Sequence, residues 1–286
     1  MALYSDVLLT VDFDRTLTGP DSKIPERNLT AIRYFMENGG AFTVNTGRSV
    51  NTYRDYLDVV PVNAPLLLMN GSAAYEAGKE PILKEIDLDL WTVISQVAEE
   101  FPQLNLEVQA LHEHYLINEK PEFVAFYDGI GWHHASAKYG DDLGPFLKFS
   151  LFGSPGQNMF ANLFEATEEE LREFDRAQER IMELWGDKVV LFRAAPRIID
   201  VHAKGVSKIN AARDLQKRLG RKILVCVGDA ENDAPMLDGA DYAFCPADGV
   251  VANRYPNVCE CALGAVADVI YEKIPEILKN RLDRMG

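Results

Sequence analysis

Three short, largely apolar runs in the first quarter of the chain each end in a polar turn. Val7 to Val11 runs into Asp12-Phe13-Asp14, with Gly19-Pro20 soon after. Residues 41–45 lead into Thr46-Gly47-Arg48, and residues 66–69 are closed by Asn70-Gly71. Apolar runs of this length bounded by Gly, Pro and Asn predict strands buried on both faces. Between them the spacing becomes helical. Residues 25–38 place Leu29, Ile32, Phe35 and Met36 on one side, with Gly39-Gly40 as the stop, and Ser49 can cap a helix running to about residue 57. Strand, helix, strand, helix, strand predicts a parallel, doubly wound sheet.

The texture changes near residue 83. Residues 87–101 read as a helix, 104–118 alternate as strands do, 132–145 are irregular, and strands at 147–152 and 189–193 flank a helix at 168–184. The Glu168-Glu169-Glu170 run suits that helix's N-terminus. Fewer buried parallel-strand patterns here predict a separate α+β module over residues 83–195. After Pro196 the first texture returns: a strand at 198–201, a helix at 206–219, a strongly apolar strand at 222–227, a helix opened by Pro235, a strand at 242–245, and a C-terminal helix over 268–284 that Pro275 should kink or restart. The expected fold class is α/β: a Rossmann-like, doubly wound parallel-sheet core of residues 1–82 and 196–286, with an α+β cap domain at 83–195 inserted into it.

Composition narrows the partners. A net charge of -15 argues against nucleic acid and anionic membranes, which demand a basic face, while leaving room for a small phosphate ligand in a local pocket. No apolar run approaches the length of a membrane span, and the N-terminus lacks the pattern of a signal peptide. Cys226, Cys245, Cys259 and Cys261 follow neither zinc-site nor redox-pair spacing, so a reduced, cytoplasmic protein is expected. The oligomeric state is left open.

The chemistry lies at the expected strand ends. In an open α/β sheet, ligands bind beyond the carboxyl ends of the strands. That edge would gather Asp12, Asp14, Thr46, Asp229 and Asp233, with Lys208 at the start of a nearby helix. Carboxylates so close repel one another unless a cation lies among them or one is protonated, and four with no cation would be costly. Oxygen ligands with a phosphate co-ligand favour Mg²⁺. The matching reaction is phosphoryl transfer through a carboxylate nucleophile. Asp12 would attack phosphorus, and Asp14 would protonate the leaving oxygen and then deprotonate the attacking water. Thr46 and Lys208 would hold the phosphoryl oxygens, and Asp229 would ligate the metal.

Taken in order, Asp12-Phe13-Asp14-Arg15-Thr16, Thr46-Gly47-Arg48, Asn70-Gly71, Lys204-Gly205-Val206-Ser207-Lys208 and Gly228-Asp229-Ala230-Glu231-Asn232-Asp233 resemble the haloacid dehalogenase superfamily of phosphotransferases. Within it they are similar to the Cof-type phosphatases with the larger inserted cap. The resemblance implies an Asp12 nucleophile, an Asp14 acid/base, and Mg²⁺ held by the Asp12 side chain, the Asp14 carbonyl and Asp229, with Asp233 close by. It also implies phosphoryl contacts from Thr46 and Asn232; Gly47 and Arg48 complete the candidate phosphate-binding set. Arg15 stands where that family usually has Gly, Ile209 where a Gly usually follows the motif lysine, and Cys245-Pro246-Ala247-Asp248 replaces a small-residue loop. Against the family's pattern Lys208, 21 residues before Asp229, has the better spacing for the motif lysine, with Lys204 as the fallback.

The function expected is a Mg²⁺-dependent phosphatase of a small phosphorylated metabolite, a sugar or polyol phosphate, with the cap closing over the substrate. A phosphomutase or other phosphotransferase is the alternative of the same fold. A non-catalytic phosphate-binding module is the third reading, against which every residue the chemistry needs is present. His112, His114, His133 and His134 read as cap-lining residues more readily than as a second metal site, and Arg193 as another cap candidate.

Overall fold

The computed structural model describes residues 2–153 and 166–283; Arg284, the end of the expected C-terminal helix, lies outside them. The chain divides into two compact units. One comprises Met1–Gly47, Tyr56–Ile82 and Ser207–Gly286, the other Arg48–Asp55 and Leu83–Val206.

The first unit is built on a five-stranded, wholly parallel sheet in the order Asn257–Val258, Tyr242–Pro246, Ile223–Val227, Val7–Val11, Ala41–Val44. Val7–Val11 lies between two neighbours and is buried along its whole length, which is why its sequence is apolar without alternation. A parallel bridge between Asn45 and Leu67 brings Leu66–Leu68 beside the last strand. The helix Lys208–Arg218 lays Ala211, Ala212 and Leu215 on Leu8, Leu224, Cys226 and Met236.

The second unit holds a six-stranded sheet in the order Val189–Ala195, Ile198–Ala203, Lys148–Phe152, Asn105–Gln109, His114–Ile117, Ala135–Ser136, antiparallel except for the last pair. The period of two divides its faces. Leu106, Val108, Phe149, Leu151, Ile199 and Val201 pack with Val93, Ile94 and Val97 of the helix Leu90–Glu100 and with Phe174, Ala177 and Ile181 of the helix Glu168–Trp185. The other face aligns Glu107, Ser150 and Asp200 in one row and Gln109, Lys148 and His202 in the next, all of them buried.

Three features differ from expectation. The strand Ile198–Ala203 does not reopen the parallel core near residue 195. It forms a hairpin with Val189–Ala195 across Pro196-Arg197 and also pairs with Lys148–Phe152. A turn that short permits only antiparallel pairing, since a parallel neighbour needs a crossover. The segment Arg48–Asp55 groups with the second unit, where the Val50 amide donates to the Leu111 carbonyl (3.1 Å) and the Asn51 side-chain amide to the His133 carbonyl (2.8 Å). The helix Pro121–Ile130 was not marked by the hydrophobic pattern. Proline in its first turn and left-handed Gly131 (φ 70°) bound it, and Phe123 and Tyr127 pack on Leu116 and Phe152.

At the C-terminus Pro275 acts as expected. A wide turn over Val269–Lys273 follows Ala265–Asp268, and a helix restarts at Ile274–Asp283. Proline offers no N–H to the carbonyl one turn before it, and the wider turn accommodates its ring. Among the described residues no helix is long and apolar enough to cross a membrane.

Candidate active site

The parallel ladder runs one residue beyond the strands and so fixes the polar residues at its edge. The Asp12 amide donates to the Val227 carbonyl (2.8 Å), that of Asn45 to Val11 (2.8 Å), and that of Thr46 to Leu67 (2.9 Å). Asp229 follows the strand Ile223–Val227 by two residues, and Asp233 ends the short turn Glu231–Asp233. Gly228 lets that turn fold back, because a Cβ there would lie 2.6 Å from the Asp233 Cβ. Lys208 opens its helix behind the cap residue Ser207, whose hydroxyl accepts from the Asn210 amide (3.2 Å).

These residues meet in a buried charge cluster. Lys208 Nζ lies 2.6 Å from Asp12 Oδ1 and 2.7 Å from Asp233 Oδ1. Asp12, Asp229 and Asp233 each offer a carboxylate oxygen within 4.8 Å of the others. Asp233 accepts a second set of bonds at Oδ2, from the amides of Asp229 (3.1 Å) and Ala230 (3.2 Å). The Thr16 hydroxyl donates to Asp229 Oδ1 (2.9 Å). Burial and then the Asp233 charge push the Asp12 carboxyl well above its ordinary range, against the pull of Lys208. Burial and Asp233 likewise raise Asp229 to about 6, with the Thr16 bond and Lys208 pulling the other way. Burial works against the Lys208 charge, yet Asp12 and Asp233 outweigh it and raise its pKa. Three buried carboxylates against one ammonium leave an excess of negative charge. A donor set made only of hard carboxylate oxygens fits a small divalent cation.

Of the other residues singled out from the sequence, Thr46 is buried, and its carbonyl accepts from the Asn70 amide (2.9 Å). Gly47 passes so close that a Cβ would lie 3.3 Å from Asn70 Oδ1. Asp14 and Asn232 are exposed and outside the three-carboxylate cluster. Arg48, half-buried in the second unit, folds back to donate to the Thr52 carbonyl (2.8 Å). Lys204 is exposed and bonds the Gly186 carbonyl (2.9 Å), so between the two lysines it is Lys208 that joins the aspartates.

Three residues to which the sequence alone assigns no role support the site. Thr16 holds Asp229. Asn45 donates to the Lys208 carbonyl (2.8 Å) and ties a strand end to the lysine's helix. Gly71 (φ 97°) ends a run of three positive φ values with Met69 (53°) and Asn70 (56°), and a Cβ on it would stand 2.7 Å from the Ser207 carbonyl. Only glycine lets the turn pass under the start of the lysine's helix. Asp248, in the unusual loop after Cys245, accepts from the Cys261 amide (2.9 Å) and thiol (3.1 Å), which hold its carboxyl below the ordinary range against its burial. Ile209 covers Gly239, where a Cβ would lie 2.4 Å from Ile209 Cγ1.

The histidines part company. His112 precedes the strand that His114 opens. His114 is buried, with Nε2 2.7 Å from Ser49 Oγ and Nδ1 2.7 Å from Glu107 Oε1. The order of groups is that of a nucleophile, base and orienting acid. Ser49 is fully buried, however, and its hydroxyl caps the helix Val50–Tyr53, so the chain of groups is a latch within the second unit. His133 and His134 each pair with one carboxylate, Glu113 (3.0 Å) and Asp128 (3.1 Å). Among the described residues the aspartate trio is the one cluster of three or more potential metal ligands.

The parallel α/β sheet thus gathers three carboxylates around one lysine at its strand ends, an acid-centred site. Residues 9–254 match the family model of haloacid dehalogenase-like hydrolases. The chain belongs to that family and is a phosphatase of its Cof type. It is 25% identical over 289 residues to an HMP-PP phosphatase of Klebsiella pneumoniae, covering 96% of both chains. It is 23% identical to an uncharacterized hydrolase of Schizosaccharomyces pombe, covering 94% of this chain and 92% of the other. Among solved structures, a haloacid dehalogenase-like hydrolase from Bacteroides thetaiotaomicron superposes with a TM-score of 0.73 at 17% identity, over 92% of this chain and 97% of that one. A HAD subclass IIB sugar phosphatase does so with 0.72 at 19%, over 93% and 99%. At these identities the structural likenesses speak to the fold alone.

Proposed function

We propose that the protein is a Mg²⁺-dependent phosphatase of small phosphorylated metabolites, sugar phosphates first among them, working through an aspartyl-phosphate intermediate. The observation that carries this reading is the placement of Asp12: buried at a strand end, 2.6 Å from Lys208 Nζ, with Asp229 and Asp233 beside it. A small phosphorylated substrate is in keeping with the relative named as an HMP-PP phosphatase.

An Asp12 oxygen attacks phosphorus, forming a P–O bond as the bond to the leaving oxygen breaks. Asp14, exposed on the turn after Asp12, gives its proton to that oxygen, then takes one from the water that cleaves the acyl phosphate and frees inorganic phosphate. Lys208 and Thr46 hold the phosphoryl oxygens and offset their growing charge. Asn232, Gly47 and Arg48 complete the phosphate-binding set. Asp233, with both oxygens already accepting hydrogen bonds, orients Lys208 and braces the Asp229 turn. Asp12 and Asp229 would hold Mg²⁺, with the Asp14 carbonyl and Asp233 alongside. The bound cation would supply the positive charge that keeps the nucleophile ionised in a buried site. The free cysteines suit a reducing compartment, the cytoplasm.

The test is phosphate release from a panel of sugar phosphates and an activated aryl phosphate, with Mg²⁺ and with chelator, for wild type and Asp12→Asn. Release that requires both Mg²⁺ and Asp12 is the expected result. Retained activity in the variant would overturn the aspartyl-phosphate route. Phosphate moved between positions without release would make the enzyme a phosphomutase.

A further inference from the structure

Arg15 holds a backbone conformation that its side chain disfavours. Its φ is 59° and its ψ 9°, left-handed, on the turn directly after Asp12. Its amide donates to Thr18 Oγ1 (3.1 Å), which closes the turn without any help from the guanidinium. Glycine would make the same turn with no steric penalty. A bulky residue kept where the backbone favours glycine points from strain toward use of its side chain.

That side chain is exposed, and among the described residues it has no ion-pair partner within 4.0 Å. Its neighbours in sequence are Asp14 and Thr16, and Thr16 bonds Asp229. The guanidinium is near enough for its charge to act on Asp229 and on Asp248 in the loop after the strand Tyr242–Pro246. Arg15 is therefore a cation on the turn beside the acid cluster, outside the ion pairs within it. Lys208, by contrast, is paired within the cluster with Asp12 and Asp233. On a chain of net charge -15 a local cation of this kind favours the approach of an anion that the rest of the surface repels. The planar guanidinium suits a second phosphate or carboxylate, which it can grip through two parallel bonds.

We propose that Arg15 is a specificity-determining residue that binds a second anionic group of the substrate, so that the preferred substrates are phosphate esters bearing another phosphate or a carboxylate. The inference rests on the phosphatase reading and narrows its substrate class. Sugar bisphosphates and phosphorylated sugar acids separate the two sources of the second charge.

The experiment has two arms on the full chain. The first measures kcat/KM for a sugar bisphosphate, a phosphorylated sugar acid, the matching monophosphate and an aryl phosphate, with wild type, Arg15→Gln, Arg15→Lys and Arg15→Gly. The expected result is a wild-type preference for a doubly anionic substrate. Arg15→Gln should reduce that preference by about tenfold or more, chiefly through KM, and Arg15→Lys should recover part of it. Equal losses on singly and doubly anionic substrates, or no wild-type preference, would overturn the proposal. The second arm measures binding of the bisphosphate and the monophosphate by calorimetry in an Asp12→Asn background, with and without Arg15→Gln. An Arg15-dependent preference there supports the proposal even if nothing is turned over, in which case only the phosphatase reading fails. Turnover with no such preference in either arm rejects the role of Arg15 and leaves the phosphatase standing.

Discussion

Each unit buries a network of charged side chains, and the two are composed differently. In the first, Asp12, Asp229 and Asp233 share Lys208. In the second, Glu107 faces His114 at 2.7 Å and Asp200 faces Lys148 at 2.9 Å, while Gln109 donates to Glu107 (2.7 Å) and Ser150 to Asp200 (2.8 Å). Their electrostatics diverge accordingly. Burial and like charge raise Asp12 and Asp229. Burial also works on Glu107, but His114, then Lys148 and Tyr127, outweigh it and hold the carboxyl below its ordinary range. Burial and then the Lys148 charge push His202 down. A network in which each carboxylate has its own basic partner is closed and serves the sheet that carries it. A network with carboxylates in excess carries negative charge that protonation or a bound cation can offset.

The largest expected effect strikes the open network. Asp12→Asn should lower kcat by on the order of 10³-fold or more, because an amide is a far poorer nucleophile than a carboxylate. The metal-free protein should keep or gain thermal stability, since one of three crowded charges is gone. A clear loss of stability would mean that the cluster is closed like its counterpart.

The next effect strikes the closed network. His114→Ala leaves Glu107 buried without its partner and should cost about 3–5 kcal/mol in denaturant unfolding. It also removes the group facing the Ser49 hydroxyl. An unfolding midpoint unchanged from wild type would show that the pairing contributes nothing to the second unit.

A third prediction concerns pH. The Asp229 carboxyl is raised from 3.8 to about 6, so the folded state binds its proton more tightly than the unfolded chain does. That contribution to stability is present below about pH 4 and is lost as pH rises toward 6; it amounts to about 3 kcal/mol. In chelator, Asp229→Asn should gain on wild type by that amount between pH 4 and pH 7. Saturating Mg²⁺ should shrink the gap by stabilising wild type. Parallel stability curves for the two proteins across that range would show that Asp229 carries no strain.

The smallest effect is at Arg15. Replacement by glycine removes the left-handed strain and should raise stability by about 1 kcal/mol in either metal state, as read by thermal melting.

Much of the first unit was legible because its signals are local. Val7–Val11, Ala41–Val44 and Ile223–Val227 announce themselves as buried parallel strands by largely apolar runs without a polar alternation, and the turn residues behind them mark where polar groups emerge. The second unit was harder. The strand Ile198–Ala203 carries the same kind of apolar stretch, and nothing in its own residues says that its partners are Val189–Ala195 and Lys148–Phe152. The helix Pro121–Ile130 is apolar on too many sides for a clean period. His114 looked like a residue lining a surface, because a buried partner 65 residues earlier, Ser49, leaves no trace in the spacing.

The sequence by itself determined the parallel α/β core, the carboxylates at its strand ends and the family to which those motifs belong. These depend on short-range periodicity and on turn chemistry, both of which are written in consecutive residues. The tertiary structure alone decided which lysine joins the aspartates, that Thr16, Asn45 and Gly71 support them, that one buried charge network is balanced and the other is not, and that Arg15 stands in a left-handed turn outside the ion pairs of the aspartate cluster. Each of these depends on groups distant in sequence meeting in a low-dielectric interior or on a backbone angle set by its surroundings, and neither is encoded in any local run of residues.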